Sequence, residues 1–289
     1  MATLNGLTTN LGGSAGAWTF YNRLGSTVAK QKIDNRHRKR LSDTQLKHSL
    51  SWGNMVAFWS VAGGRLKDSF ERKRNGQTDF NMFISNNVYG PRIYLPSYMV
   101  RAGACVAAPY LVTMGSLPSI EVVESSDGCF LTGIRLGDGF SITPETTVGE
   151  LSRAIVTHND GFEHGDDLIC LAVHQLVGSS DGYPHVGVSP AVLRLDAYSD
   201  VPLSMIPNAV PAFAAVGGFL GSGVPIVGGM TWIHMRQLRS RRVVSTQRLV
   251  LSGDSAEPSS TAEAPLYRGY TTPEALAAAI GSYRRRSAR

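Results

Sequence analysis

The sequence predicts an α+β protein. An N-terminal β-hairpin plus helices comes first, then a mainly antiparallel immunoglobulin- or fibronectin-like β-sandwich with a helical insertion, and last a C-terminal helix. Three observations carry this. A capped stretch of helical periodicity follows Ser42. Short β-prone runs broken by Gly, Asp, Ser and Pro fill the chain after about residue 92. A second capped helix signal begins at Thr272. The chain divides accordingly into a basic hairpin-plus-helices module over 1–90, a β-sandwich domain over 91–252, and a linker with a C-terminal basic helix over 253–289. At 289 residues, with 43% hydrophobic and 17% charged residues, it can bury a sizeable core and is long enough for two domains. The 31 glycines and 14 prolines follow no period, which suits a loop-rich globular chain and not a disordered one.

Each element has a local reason. The β-prone runs 17–21 and 27–31 flank Asn22 and Gly25, a hairpin signal. A basic connector follows, with Arg36, Arg38, Lys39 and Arg40. Ser42 and Gln45 have capping-box spacing, and Leu46, Leu50, Met55, Val56 and Trp59 recur at helical intervals. Gly63 and Gly64 mark a stop or kink, and 65–74 continues as a charged amphipathic segment. Thr78 and Asp79 can cap a short helix with Phe80, Phe83 and Ile84 on one face. Strands are expected at 110–114, 119–124, 130–136, 168–175, 191–195, 231–236 and 243–251. Thr147 and Glu150 repeat the capping-box spacing before Leu151 and Ile155, the predicted helical insertion. The stretch 252–264 reads as an exposed linker. Thr272, Pro273 and Glu274 then open a helix with Leu276, Ala277 and Ile280 on its apolar face, ending in Arg284, Arg285 and Arg286.

Charge is laid out in blocks. From Arg23 to Arg74 there are thirteen basic and four acidic residues; from Ile120 to Asp200, thirteen acidic and three basic; from Arg236 to Arg289, ten basic and four acidic. Two basic ends and an acidic middle can attract a polyanion, or the middle of another copy of the chain. Three widely spaced cysteines, Cys105, Cys129 and Cys170, favour a reducing compartment over a disulfide framework. The N-terminus does not read as a secretory signal. The uncharged stretch 201–235 is broken by Pro211, Pro225 and several glycines, so strands, a packed loop or an oligomer contact fit it better than a membrane span.

The Gly-rich start around Gly12 and Gly16, the set Tyr21, Arg23 and Gly25, Ser42 with Gln45, and Phe80, Asn81, Phe83 and Asn86 together resemble a family of uncharacterised bacterial and mobile-element proteins. The run from Thr147 to Leu151, the Asn159–Phe162 turn, Trp232 and the segment from Ser245 to Arg248 look like the β-rich half of the same family. The resemblance spans most of 5–252 and implies a shared fold, with no assigned activity. The uncharged stretch and the Arg-rich last helix depart from it.

No catalytic constellation stands out. His158, His164 and Asp166 could join in binding a transition metal, but their spacing matches no strict motif, and turn-forming carboxylates with solvated histidines are the simpler reading. No Gly-x-Ser-x-Gly elbow or phosphate loop is present. The candidate contact residues are Arg23, Lys30, Lys32, Arg36, Arg38, Lys39 and Arg40, with Arg284, Arg285 and Arg286 at the other end. With Trp18, Tyr21 and Trp52 nearby they suit single-stranded nucleic acid, an acidic surface of a neighbouring subunit, or a solvated face. Arg236, Arg239, Arg241 and Arg242 sit at an expected hairpin turn, where arginine suits phosphate or carboxylate. The expectation is a non-enzymatic structural or assembly protein, cytoplasmic or virion-associated. It would self-associate or coat a larger particle, plausibly of phage or mobile-element origin, with nucleic-acid binding as the alternative. No cofactor, no metal and no membrane is called for.

Overall fold

The computed structural model describes residues 2–4, 13–23, 26–32, 41–239, 241–253 and 266–287. The strands β1 (Ala2–Leu4), β2 (Gly13–Ala15), β3 (Trp18–Arg23) and β4 (Ser26–Gln31) form an antiparallel sheet of order β1-β4-β3-β2. Helix α1 (Asp43–Ala62) starts where Ser42 and Gln45 close a capping box on each other. After Gly63–Arg65, a single 3-10 turn, the helix does not resume, so the charged 65–74 stretch is not helical. Asp68 adopts φ 59°, which ends a right-handed path. The Asp79 carboxylate takes the N–H groups of Asp68 and Phe70 at 3.1 and 3.3 Å, donors that a helix would have used. Asp79 opens α2 (Asp79–Asn87), capped by Thr78, and α3 (Ser97–Arg101) follows.

The β-rich part begins with β5 (Leu111–Thr113), β6 (Val122–Glu124) and β7 (Phe130–Arg135). Helix α4 (Val148–His158) has its own capping box at Thr147 and Glu150. Two eleven-residue strands, β8 (Asp167–Val177) and β9 (Pro184–Arg194), pair along their whole length. The uncharged stretch supplies α5 (Ala209–Ala212), β10 (Ala214–Val216) and β11 (Phe219–Gly221). Then come β12 (Gly228–Leu238), β13 (Arg241–Val244), β14 (Gln247–Arg248), β15 (Val250–Leu251) and α6 (Pro273–Ser287). The central sheet has order β13-β12-β8-β9 with β15 also on β12; a smaller one has order β10-β11-β7-β6; and β14 pairs β5. Among the described residues the fold is therefore mixed, with helices and antiparallel sheets, none of them closed.

Both faces of the central sheet are buried. Leu171 and Val173 of β8 face a first core, with Ile233 and Met235 of β12, Phe58 of α1 and Phe83 of α2. Leu168, Cys170 and Ala172 face a second core, with Met230 and Trp232 of β12, Phe130 and Ile134 of β7, Leu220 of β11, and Leu151 and Ile155 of α4. Strict alternation between two apolar environments makes the 168–173 run apolar at every position. The second core also takes Leu203, Ala209, Phe213 and Ile226, so the uncharged 201–229 stretch is core-building. Among the described residues no helix is long and apolar enough to cross a membrane. The first core crosses residue 90: Phe58 and Phe83 lie 5.1 and 5.5 Å, centroid to centroid, from Tyr110.

Two buried asparagines tie the extended 104–111 segment to the helices. Asn54 of α1 accepts the Val106 N–H at 2.8 Å and donates to the Val106 carbonyl and the Tyr110 hydroxyl, each at 2.8 Å. Asn87 of α2 accepts from Leu111 N–H at 2.8 Å and donates to its carbonyl at 2.9 Å. Each side-chain amide replaces a missing strand partner.

Helix α6 packs on its own chain, where Ala279 is buried against Leu50 of α1 and Tyr94. Ser97 N–H donates to Ser282 Oγ at 2.8 Å and Tyr94 N–H to the Tyr270 carbonyl at 2.9 Å. The linker expected over 252–264 lies, from 254 on, outside the described residues.

Asn54→Ala is expected to destabilise the fold by about 3 kcal/mol, because it leaves buried donors and acceptors unpaired. Leu171→Ala should cost a similar ~3 kcal/mol through a core cavity. Urea unfolding of both variants checks these values.

Candidate functional site

Cross-strand partners share a sheet face, so the register of β3 and β4 decides what their side chains present together. Thr19 stands opposite Lys30 and Tyr21 opposite Val28, while Trp18 stands opposite Gln31 and Phe20 opposite Ala29. Tyr21 and Lys30 thus share one face, and Trp18 and Phe20 the other. Lys30 and Lys32 are exposed, as are Trp18 and Tyr21, at 47% and 36%. Arg23 ends β3 at the register position opposite Ser26. Arg36, Arg38, Lys39 and Arg40 lie outside the described residues. At the other end of the chain, Arg284 pairs with Asp43 at the start of α1, which ties this cation to its own fold. Arg285 and Arg286 fall within the last turn of α6, where the helix dipole favours positive charge.

The acidic middle is partly internal and partly displayed. Glu121, Asp138, Glu145, Asp160, Glu163 and Asp200 are exposed. Asp166 is buried, with a side chain only 2% exposed. Its Oδ2 accepts from His234 Nε2 at 2.7 Å, Arg236 Nη2 at 2.8 Å and Glu163 N–H at 2.8 Å; Oδ1 accepts from Arg236 Nε at 2.8 Å. Arg236 also reaches Glu163 and the Gly161 carbonyl. Phe162 stacks on the His234 ring with centroids 4.3 Å apart. Burial would raise the Asp166 carboxyl, but the Arg236 fork and the His234 bond outweigh it and hold it well below the usual carboxylate range.

The arrangement is structural in its chemistry. Both Asp166 oxygens are committed, and His234, 1% exposed, spends Nε2 on the carboxylate, so neither offers a free base. The network rivets the Gly161–Asp166 loop to β12. Asp166 is thereby separated in role from His158, whose Nδ1 bonds the Ala154 carbonyl at 2.9 Å. Among the described residues no group of three His, Cys, Asp or Glu side chains is placed to hold a metal ion. Arg236, expected beside Arg239, Arg241 and Arg242 at a hairpin turn, lies inside β12 and points to Asp166. His234 is not among the residues singled out from the sequence. Its signal was an ionisable side chain inside the otherwise apolar 232–235 run, a position that requires a partner. Burial pushes the Cys105 thiol up to about 12 and Cys170 higher still, so neither is poised as a nucleophile.

No protein-family model, no curated protein and no solved structure matches the chain.

Arg236→Ala should destabilise the protein by about 3 kcal/mol, because it strands a buried carboxylate. The depressed Asp166 pKa fixes a pH dependence. The stabilisation is fully present above the unfolded aspartate value of about 4 and is lost as pH falls below it toward the folded value. Asp166→Asn should flatten the stability profile below about pH 4, measured by urea unfolding across pH.

Proposed function

We propose that this protein is a non-enzymatic assembly protein, derived from a phage or mobile element, that self-associates or coats a larger particle. One observation carries the reading: basic side chains are exposed on one element and acidic side chains on others, as a charge-complementary contact would need. Lys30 and Lys32 are exposed at the N-terminal sheet, and Glu121, Glu145, Asp160 and Asp200 are exposed on the β-rich part. Trp18, half exposed on the opposite face of the same sheet, adds apolar area that a neighbour would bury. The shared core between the central and smaller antiparallel sheets supports an immunoglobulin- or fibronectin-like reading of that half, and the β3–β4 register supports the hairpin. The resemblance to uncharacterised bacterial and mobile-element proteins belongs to the same proposal.

A second reading, nucleic-acid binding, is favoured by Tyr21 and Lys30 sharing one face, an aromatic platform beside a cation. It would extend to Arg36–Arg40 and the Arg284–Arg286 tail.

Solution mass at low and high salt, with absorbance at 260 nm, separates the two. Assembly predicts a discrete oligomer free of nucleic acid that dissociates with salt and is weakened by Lys30→Glu with Lys32→Glu. A strict monomer at high micromolar concentration would sink it. A monomer that releases nucleic acid as salt rises, and stops binding it when Arg38, Lys39 and Arg40 become Glu, would establish the second reading.

A further inference from the structure

Apart from the N-terminal sheet, the structure holds a pocket of about 320 Å³ between the loop 68–73 and the β12–β13 hairpin. Phe70, 1% exposed, lies at its base, and its walls are Asp68, Glu71, Lys73, Gln237, Arg241 and Arg242. Three features define what it can hold.

The first is an anchored carboxylate. Glu71 Oε1 accepts from Val244 N–H at 2.7 Å, from Ser116 N–H at 2.8 Å and from Ser116 Oγ at 3.2 Å. All three donors use the same oxygen, so the side chain is fixed while Oε2 has no hydrogen bond among the described residues. Gly115 makes this possible: a Cβ there would come within 2.2 Å of Oε1. Burial would raise the Glu71 pKa, but the Ser116 and Val244 bonds and the Arg241 charge bring it below its ordinary value, so it is a carboxylate at neutral pH.

The second is cation capacity left over. Lys73 is engaged, with Asp79 at 2.9 Å and Asp68 at 3.7 Å. Arg242 reaches Asp68 only at 3.9 Å. Arg241 is exposed, and its guanidinium makes no hydrogen bond or close ion pair among the described residues. Such a fork is suited to a carboxylate.

The third is balance. Lys73, Arg241 and Arg242 are offset by Asp68, Glu71 and the Asp79 partner of Lys73. The site has separated charge but no net charge. A simple anion would meet the open oxygen of Glu71, and a simple cation would meet Arg241 and Arg242; either is penalised. A molecule with both charges is not.

We infer that this pocket binds a small zwitterion, a free α-amino acid, with its ammonium on Glu71 Oε2 and its carboxylate on Arg241 and Arg242. Gln237 supplies an amide beside them, and the volume falls at the small end of ligand pockets. The inference does not depend on the assembly reading, and its test does not use oligomeric state.

The test is an NMR titration of the full-length protein with common free L-amino acids, with acetate, methylammonium and inorganic phosphate run in parallel. The expected result is saturable shifts at Ser116, Gln237, Arg241 and Arg242 with at least one amino acid, and none with acetate or methylammonium. Arg241→Ala and Glu71→Gln should each weaken binding by about tenfold or more, the loss of one charge-assisted contact. Glu71→Gln could disturb folding through Ser116 and Val244; if it does, exposed Arg241→Ala carries the test alone. Failure of every amino acid to titrate, phosphate or acetate binding as tightly, or full affinity in Arg241→Ala would each overturn the inference.

Discussion

The burial of one sheet on both faces constrains the rest of this molecule. Strand β8 lies between β12 and β9 and sends alternate side chains into two different cores. Neither face tolerates a charge without a partner, so an ionisable group near the sheet has to be paired. His234 and Asp166 show how this is done at the edge of the second core. An imidazole that would be costly alone is paired with a carboxylate, which is in turn neutralised by Arg236. Asn54 and Asn87 solve the corresponding problem on the first core, where extended backbone runs beside helices that cannot complete a ladder. These polar contacts fix the register of the layers, while the apolar area supplies the driving force.

Two-sided burial also explains where displayed chemistry is found. Accessible charge lies off the two cores: on the N-terminal sheet, on the 65–74 stretch, on the outer faces of the helices and on the β12–β13 hairpin. A protein whose buried ionic groups are spent on holding layers together has its capacity for ionic recognition at its periphery. The charged pocket fits this pattern. Its carboxylate is fixed by the backbone of β13 and the 115–116 turn, while Arg241 on the hairpin stays exposed.

The local signals in the sequence were legible. The capping boxes at Ser42 and Thr147, the Thr78 cap and the strand runs were readable because each depends on residues within a few positions of one another. The 65–74 segment was not. Its end as a helix was decided by Asp79, which captures two backbone donors from another part of the chain. In the same way, Arg236 was legible as an anion binder but not as the partner of a buried carboxylate, because Asp166 lies 70 residues away.

By itself, then, the sequence determined the kinds of elements, many of their start points, and the segregation of charge into blocks. These follow from side-chain periodicity, backbone capping and composition, which act over short stretches. Only the tertiary structure decided which charges were spent and which displayed. Asp166, Arg236 and Arg284 are committed to ion pairs with residues distant in sequence, while Lys30, Lys32 and Arg241 stay exposed. The physical reason is that the worth of a charge depends on its burial and its partner, and both are properties of residues brought together by folding.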